Sequence, residues 1–245
     1  MNQHLTIEKM KLMRLKGMAQ THHQNLQDQL YADYTLDQYT SLLIDQEWEH
    51  RQNRKITNLL KTASFRTNAA LENVDYTTNR GLDKNTFERL ASLQFIKQKE
   101  NIIINGATGT GKSYLAQSLG RLACKQLFRT KYFTTSRLMD EVKIARLQGT
   151  YFKMIKAIQK ADLLILEDFG LQAFDQSARQ TLMDIVEYRY DQGSTIITSQ
   201  IPVNQWHSLI GEGTIADAIL DRIVHSSHRI QLTGSSLRRK KKLNA

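Results

Sequence analysis

The densest chemical signal in the chain is Gly106-Ala107-Thr108-Gly109-Thr110-Gly111-Lys112-Ser113, set directly after the apolar run Ile102-Ile103-Ile104. A glycine-rich turn between a strand and a helix lets successive backbone N–H groups wrap phosphate oxygens, and the helix that follows points its positive end at them. In this pattern Lys112 reaches the β- and γ-phosphates and Ser113 Oγ ligates magnesium. Tyr114 completes the set of residues expected at the nucleotide. The ligand class is therefore a nucleoside triphosphate, ATP or GTP, together with Mg2+.

A second group lies further on. Four apolar residues, Leu163 to Leu166, run into Glu167-Asp168, so one buried strand delivers two adjacent carboxylates. Triphosphate hydrolysis needs a metal held in place and a water aligned for attack, and such a pair can divide the two tasks. Glu167 is expected on the metal and Asp168 on the water. The usual order is Asp first, so Glu-Asp leaves that division open, and it predicts slow turnover.

Two further segments could complete a site. Thr195 to Gln200 reads as a strand ending in polar groups, and Ser199 or Gln200 could hold the attacking water and sense the γ-phosphate. An ordinary strand-end turn is the plain alternative. Arg222 stands in the short helix Asp217 to Ile223, with Asp217 and Asp221 near it in sequence. If copies of the chain associate, Arg222 could enter a neighbour's site and neutralise charge on the phosphoryl group. Without association it is a surface ion pair.

These residues need a scaffold that brings strand ends together. From Leu82 onward, helices alternate with β-branched runs at 102–105, 131–134, 163–167, 195–199 and 229–232. Crossovers of that length imply a parallel sheet covered on both faces, with ligand chemistry at the carboxyl ends of the strands. Ahead of it the sequence reads as helices only: Thr6 to Lys16 and Met18 to Tyr31 around a break at Gly17, then a long helix opening with the capping box Thr35-Leu36-Asp37-Gln38. Within that helix Glu47 is placed to pair with Arg51. The organisation is thus a helical domain over 1–68 for protein interaction, a linker over 69–85 and an ATPase domain over 86–245.

Composition narrows the partners. With 245 residues, 40% apolar content and one proline, the chain can bury a sizeable core. No apolar run is long enough to cross a bilayer, and residues 1–17 alternate charge with Leu and Met, so the expectation is a cytoplasmic protein without a membrane partner. The single cysteine, Cys124, sits on the helix after the phosphate loop and reads as a small buried hydrophobe. His225 and His228 have no third ligand at useful spacing, which argues against a metal there. A formal net charge of +10 points to a polyanion, nucleic acid before acidic lipid.

Several segments together resemble one family. Leu15-Lys16-Gly17-Met18-Ala19, Glu47-Trp48, Arg54-Lys55, the phosphate loop, Asp162 to Gly170, Ile197 to Pro202 and Ala216 to Arg222 are similar to the IstB-type helper ATPases of bacterial insertion sequences. These are relatives of DnaC-type helicase loaders in the AAA+ superfamily. The resemblance covers nearly the whole chain. It implies a five-stranded parallel P-loop sheet of order 5-1-4-3-2, a small all-α N-terminal domain, ATP as the nucleotide, and homo-oligomers with Arg222 acting in trans. It also implies water positioning by Ser199 or Gln200 and a second nucleotide sensor at Arg238. Too few residues follow Leu232 for the helical lid of many AAA+ proteins, so Arg238 could simply belong to the basic tail.

The family implies an assembly that selects double-stranded target DNA and recruits or activates a partner transposase. A helicase loader favouring single-stranded DNA is the alternative. A small-molecule kinase would need an acceptor pocket and an arginine-rich lid, and neither is visible. For DNA contact, two helices broken at Gly149 supply outward cations: Arg137, Lys143 and Arg146 on the first, Lys153, Lys156 and Lys160 on the second. The first helix is the expected site. Nothing there resembles a base-reading element, so binding should tolerate any sequence and weaken steeply with salt.

Overall fold

A computed structural model describes residues 3–237. The chain divides into two compact units, Met1–Asn58 and Leu59–Ala245.

The first unit is helical: α1 (Gln3–Leu12), α2 (Lys16–Gln27) and the greater part of α3 (Leu36–Ala63). The capping box at the start of α3 is formed in both directions, Thr35 N donating to Gln38 Oε1 at 2.9 Å and Gln38 N to Thr35 Oγ1 at 3.3 Å. The break between α1 and α2 is not at Gly17. It falls at Arg14, whose φ of 62° is left-handed, and Gly17 lies inside α2. Gly17 serves a close crossing instead: a Cβ there would stand 2.8 Å from Glu47 Cα. Glu47 uses that proximity, accepting from Gly17 N at 2.8 Å and Met18 N at 3.3 Å while its other oxygen accepts from Arg51 Nε at 2.7 Å. A carboxylate from α3 thereby caps the amino end of α2, which has no side-chain cap of its own.

The second unit holds β1 (Asn101–Gly106), β2 (Thr130–Thr134), β3 (Leu163–Glu167), β4 (Ser194–Ser199) and β5 (Ser227–Leu232). All pairings are parallel and the order is β2-β3-β4-β1-β5, the 5-1-4-3-2 arrangement read from its other edge. Every residue of β1, β3 and β4 is buried, because helices cover both faces. Side chains alternate between those faces. Ile102, Ile104, Ile165 and Ile196 share one core with Phe87 of α4 (Lys84–Ala91), Ile96 of α5 (Gln94–Gln98) and Leu115 and Leu119 of α6 (Lys112–Lys125). Ile103, Leu164, Leu166 and Ile197 share the other with α7 (Thr135–Leu147), α8 (Tyr151–Gln159), α9 (Gln176–Arg189), α10 (Trp206–Ile210) and α11 (Gly213–Val224).

The segment 69–85 packs inside this second unit. Tyr76 lies edge-on to Phe87 with ring centroids 6.4 Å apart, and Val74 is buried in the core of α4–α6. Among the described residues no helix is long and apolar enough to cross a membrane. Register then fixes where chemistry can gather. Asn105 pairs with Ser199 and Thr134 with Glu167, so the ends of β1, β4, β3 and β2 meet along one edge.

Candidate nucleotide site

The loop between β1 and α6 turns on three glycines with positive φ: Gly106 at 155°, Gly109 at 83° and Gly111 at 97°. Gly111 is the N-cap of α6 and supplies no side chain, so the first N–H groups of that helix are left for a ligand. Lys112 is buried, and its ammonium donates to Gly106 O at 2.7 Å and Ala107 O at 2.9 Å, curled over the space where phosphate would sit. Thr110 Oγ1 tightens the turn by donating to Ala107 O at 2.9 Å.

The loop is braced from outside by residues far away in sequence. Arg80 Nη1 donates to Thr110 O at 2.9 Å, its Nη2 donates to Asp75 O at 2.8 Å, and Leu237 N donates to Gly109 O at 2.9 Å. A side chain on Gly109 would overlap Ser236, and one on Gly111 would overlap the Arg80 guanidinium. Arg80 is only 4% exposed, and among the described residues its Nε has no hydrogen-bond partner. Burial lowers its pKa, with the Asp75 carboxylate opposing. A weakly neutralised buried cation beside an anion cradle suits a phosphate ligand.

Of the acids, Glu167 is 2% exposed and fully engaged. It accepts from Tyr132 Oη at 2.7 Å and Gln117 Nε2 at 3.0 Å, and the Ser113 hydroxyl stands near enough to the same carboxylate to favour its charged form. Burial raises the Glu167 pKa against the pull of Tyr132, Gln117 and Ser113, and the same burial drives the Tyr132 phenol up. Ser113 and Glu167, both read from sequence as metal ligands, are thus brought together. A hydroxyl and a carboxylate, hard oxygens beside the phosphate cradle, form a donor set that fits Mg2+.

Asp168 follows with a left-handed φ of 56° and donates its N–H to Thr198 Oγ1 at 3.3 Å. It lines a polar cleft of about 290 Å³ with Arg66, Thr135, Lys143 and Asp175.

The two polar residues ending the fourth strand part company. Ser199 is fully buried; its hydroxyl donates to Phe169 O at 2.7 Å and accepts from Ile201 N at 3.0 Å, which commits it to holding the β3 and β4 termini. Gln200 instead accepts from Thr108 Oγ1 at 2.7 Å, on the phosphate loop itself. Tyr114 turns its hydroxyl away from the loop, donating to Ala70 O at 3.0 Å.

Arg222 belongs to the other end of the sheet. Its carbonyl accepts from Asn101 Nδ2 at 3.3 Å, and Asn101 is the first residue of β1, whereas the phosphate loop begins at its last. At about 3.3 Å per residue the strand separates them by roughly 17 Å. The guanidinium pairs with Glu187 at 2.8 Å, not with Asp217 or Asp221, and donates to Ala218 O at 3.0 Å. Arg238 lies outside the described residues.

The first-helix cations are all taken up within the chain. Arg137 pairs with Glu141 at 2.7 Å, Lys143 with Asp175 at 2.9 Å, and Arg146 lies 4.0 Å from Asp184 and 4.0 Å above the Tyr151 ring. Lys153, Lys156 and Lys160 on and just after α8 are exposed and make no ion pair among the described residues. Among the same residues no His, Cys, Asp and Glu cluster could hold a metal, and His228 pairs with Glu100 at 2.9 Å.

Sequence reading missed Arg80, Gln117 and Tyr132. Gln117 alone carried a usable signal, since it stands one helical turn after Ser113 on the same face of α6.

Comparison with known proteins agrees with the architecture. The family described as "IstB-like ATP binding protein" matches residues 8–245. An insertion-sequence ATP-binding protein of Sinorhizobium fredii is 41% identical over 236 residues, covering 96% of each chain. The insertion sequence IS21 ATP-binding protein of Pseudomonas aeruginosa is 28% identical, covering 96% of this chain and 89% of that one. Among solved structures, DnaI superposes with a TM-score of 0.60 at 23% identity, over 68% of this chain and 92% of its own, which shows a shared fold. With its phosphate loop, its sheet order and this match along nearly its whole length, the chain belongs to the IstB-like ATP-binding family of insertion sequences.

Proposed function

We propose that this protein is a Mg2+-dependent ATPase that oligomerises on double-stranded target DNA and recruits or activates a partner transposase in the cytoplasm. The observation that carries the enzymatic part is that Ser113, the residue after the curled Lys112, stands beside the buried Glu167 carboxylate. Ser113 Oγ and Glu167 would hold Mg2+, which when bound neutralises charge on the β- and γ-phosphates. The chain's own residues do the rest. Lys112 leaves the carbonyls of Gly106 and Ala107 for the phosphates, and the N–H groups opening α6 hold them. Asp168, in the lining of a polar cleft, orients the attacking water and accepts its proton. Gln200, already on Thr108, is the better placed of the two strand-end residues to sense the γ-phosphate.

Arg222 supports the oligomeric part. It sits too far along β1 to serve its own loop, so its place in catalysis is in a neighbour's site. Arg238 would act as a second sensor from the segment after Leu237. DNA contact is assigned to α7 and α8, with Lys153 and Lys156 joining Arg137, Lys143 and Arg146. The helical unit 1–58 is the surface offered to the transposase. The insertion-sequence relatives support this reading over a helicase loader, whose likeness here is one of fold.

The test is ATP turnover with Mg2+ in the presence of duplex or single-stranded DNA. Duplex stimulation that disappears in Lys112→Ala supports the proposal. Turnover stimulated by single strands alone would replace it with helicase loading.

A further inference from the structure

We propose that Gln117 is a positioning residue that ties Glu167 to the segment 64–70, so that Mg2+ with nucleotide and the packing of that segment are energetically coupled. The inference rests on the reading of Ser113 and Glu167 as metal ligands. Gln117 is 1% exposed and has every polar atom placed. Its Oε1 accepts from Thr67 N at 2.9 Å and Thr67 Oγ1 at 3.0 Å, and its Nε2 donates to Glu167 Oε1 at 3.0 Å. Only one orientation of the amide satisfies this set. Thr67 N can only donate and the carboxylate can only accept, so turning the amide over would face donor with donor and acceptor with acceptor.

The second oxygen of Glu167 is managed from the same segment. Tyr132 Oη holds it, and the Tyr132 ring packs against Phe65 with centroids 6.0 Å apart. Phe65 also closes on Gly120 of α6, where a Cβ would stand 2.8 Å from its ring. Ala70 is fixed at the far end, its N–H and carbonyl both bonded to Tyr114 Oη, at 3.2 and 3.0 Å. Residues 64–70 therefore touch both groups that orient the buried carboxylate, and they begin where α3 ends at Ala63. When a metal claims an oxygen of Glu167, the Gln117 bond must readjust, and Thr67 feels it through a rigid amide. Linkage makes the effect reciprocal: disturbing Thr67 changes metal affinity by the same factor.

Hydrogen exchange at the Thr67 amide in the full chain, with ADP and EDTA and then with ADP and Mg2+, tests this directly. The expected result is exchange slowed at least about fivefold by Mg2+ and not by nucleotide alone, a coupling at the lower end of the usual range. In Gln117→Leu that response disappears and the apparent Mg2+ affinity, titrated with a fluorescent ADP analogue, falls by a similar factor, while analogue binding in EDTA is kept. Wild-type exchange needs no variant to fold. Thr67 exchange indifferent to Mg2+, or unchanged Mg2+ affinity in Gln117→Leu, overturns the coupling while leaving the metal site intact. Absence of any Mg2+ effect on nucleotide binding overturns the metal site and the coupling together.

Discussion

Thr108 and Gln200 are joined by a 2.7 Å hydrogen bond, hydroxyl to amide oxygen, which links the tip of the phosphate loop to the end of β4. The neighbouring Ser199 makes no such link and spends its hydroxyl on Phe169 and Ile201. The two residues should therefore fail differently. Gln200→Ala is expected to lower kcat by about 10- to 100-fold, one to two transition-state hydrogen bonds' worth, with KM within about twofold. Ser199→Ala should cost about 1–3 kcal/mol of stability by orphaning buried backbone groups. Steady-state kinetics beside thermal melts separate them; a reversed pattern would return the sensing role to Ser199.

Arg222 tests the proposed association. Alone, Arg222→Ala loses a partly exposed ion pair to Glu187 and should change stability by about 1 kcal/mol. In the assembled enzyme its loss is expected to cost about 10³-fold or more in kcat. Mixing Arg222→Ala with Lys112→Ala should restore part of the activity, because some interfaces then pair an intact loop with an intact arginine. No recovery on mixing, with both proteins still associating, counts against action in trans.

If α7 and α8 bind DNA as proposed, affinity should divide between them according to which cations are free of ion pairs. Lys153→Ala with Lys156→Ala should reduce the slope of log K against log salt by about 2, near 0.9 per phosphate contact. Lys143→Ala with Arg146→Ala releases Asp175 and Asp184 and should reduce it by less, since those cations already have partners. Binding isotherms on a fixed duplex at several salt concentrations give both slopes.

Glu167 leaves a mark on stability in metal-free protein. Its folded pKa is raised by burial, so the folded state holds the proton more tightly than the unfolded one, and stability falls as pH rises through that value. Glu167→Gln removes the buried charge and keeps a carbonyl for Gln117. In EDTA at pH 7 the variant should melt about 2–4 °C higher than the parent, with the gain shrinking toward pH 4. Melts across that range check it, and a gain that grows on acidification would reverse the sign.

The sheet is legible because its strands are short apolar runs followed by the residues that do chemistry: Ile102–Ile104 before the loop, Leu163–Leu166 before Glu167. Local patterns of this kind survive folding. Gly17 was misread because a glycine between helices looks the same whether it makes a turn or admits another backbone, and only the crossing with Glu47 decides. Arg80 and Tyr132 act across long sequence gaps on backbone carbonyls and on a carboxylate, and no spacing announces such a contact. Between α4 and α5 the chain breaks at Leu93, where φ is 59°, with no glycine or proline to mark the place. Cation pairing on α7 likewise depends on Asp175 and Asp184, which the fold brings in from a distant helix.

The phosphate loop takes its outer support from Arg80, before the first strand, and from Leu237, beyond the last. During synthesis these two supports emerge from the ribosome more than a hundred and fifty residues apart. A nascent chain that has released β1 to β4 owns every nucleotide-contacting residue of the loop and still lacks half of its frame. That second support is a contact of long sequence separation, so the frame of the loop closes only after the final strand has been laid down.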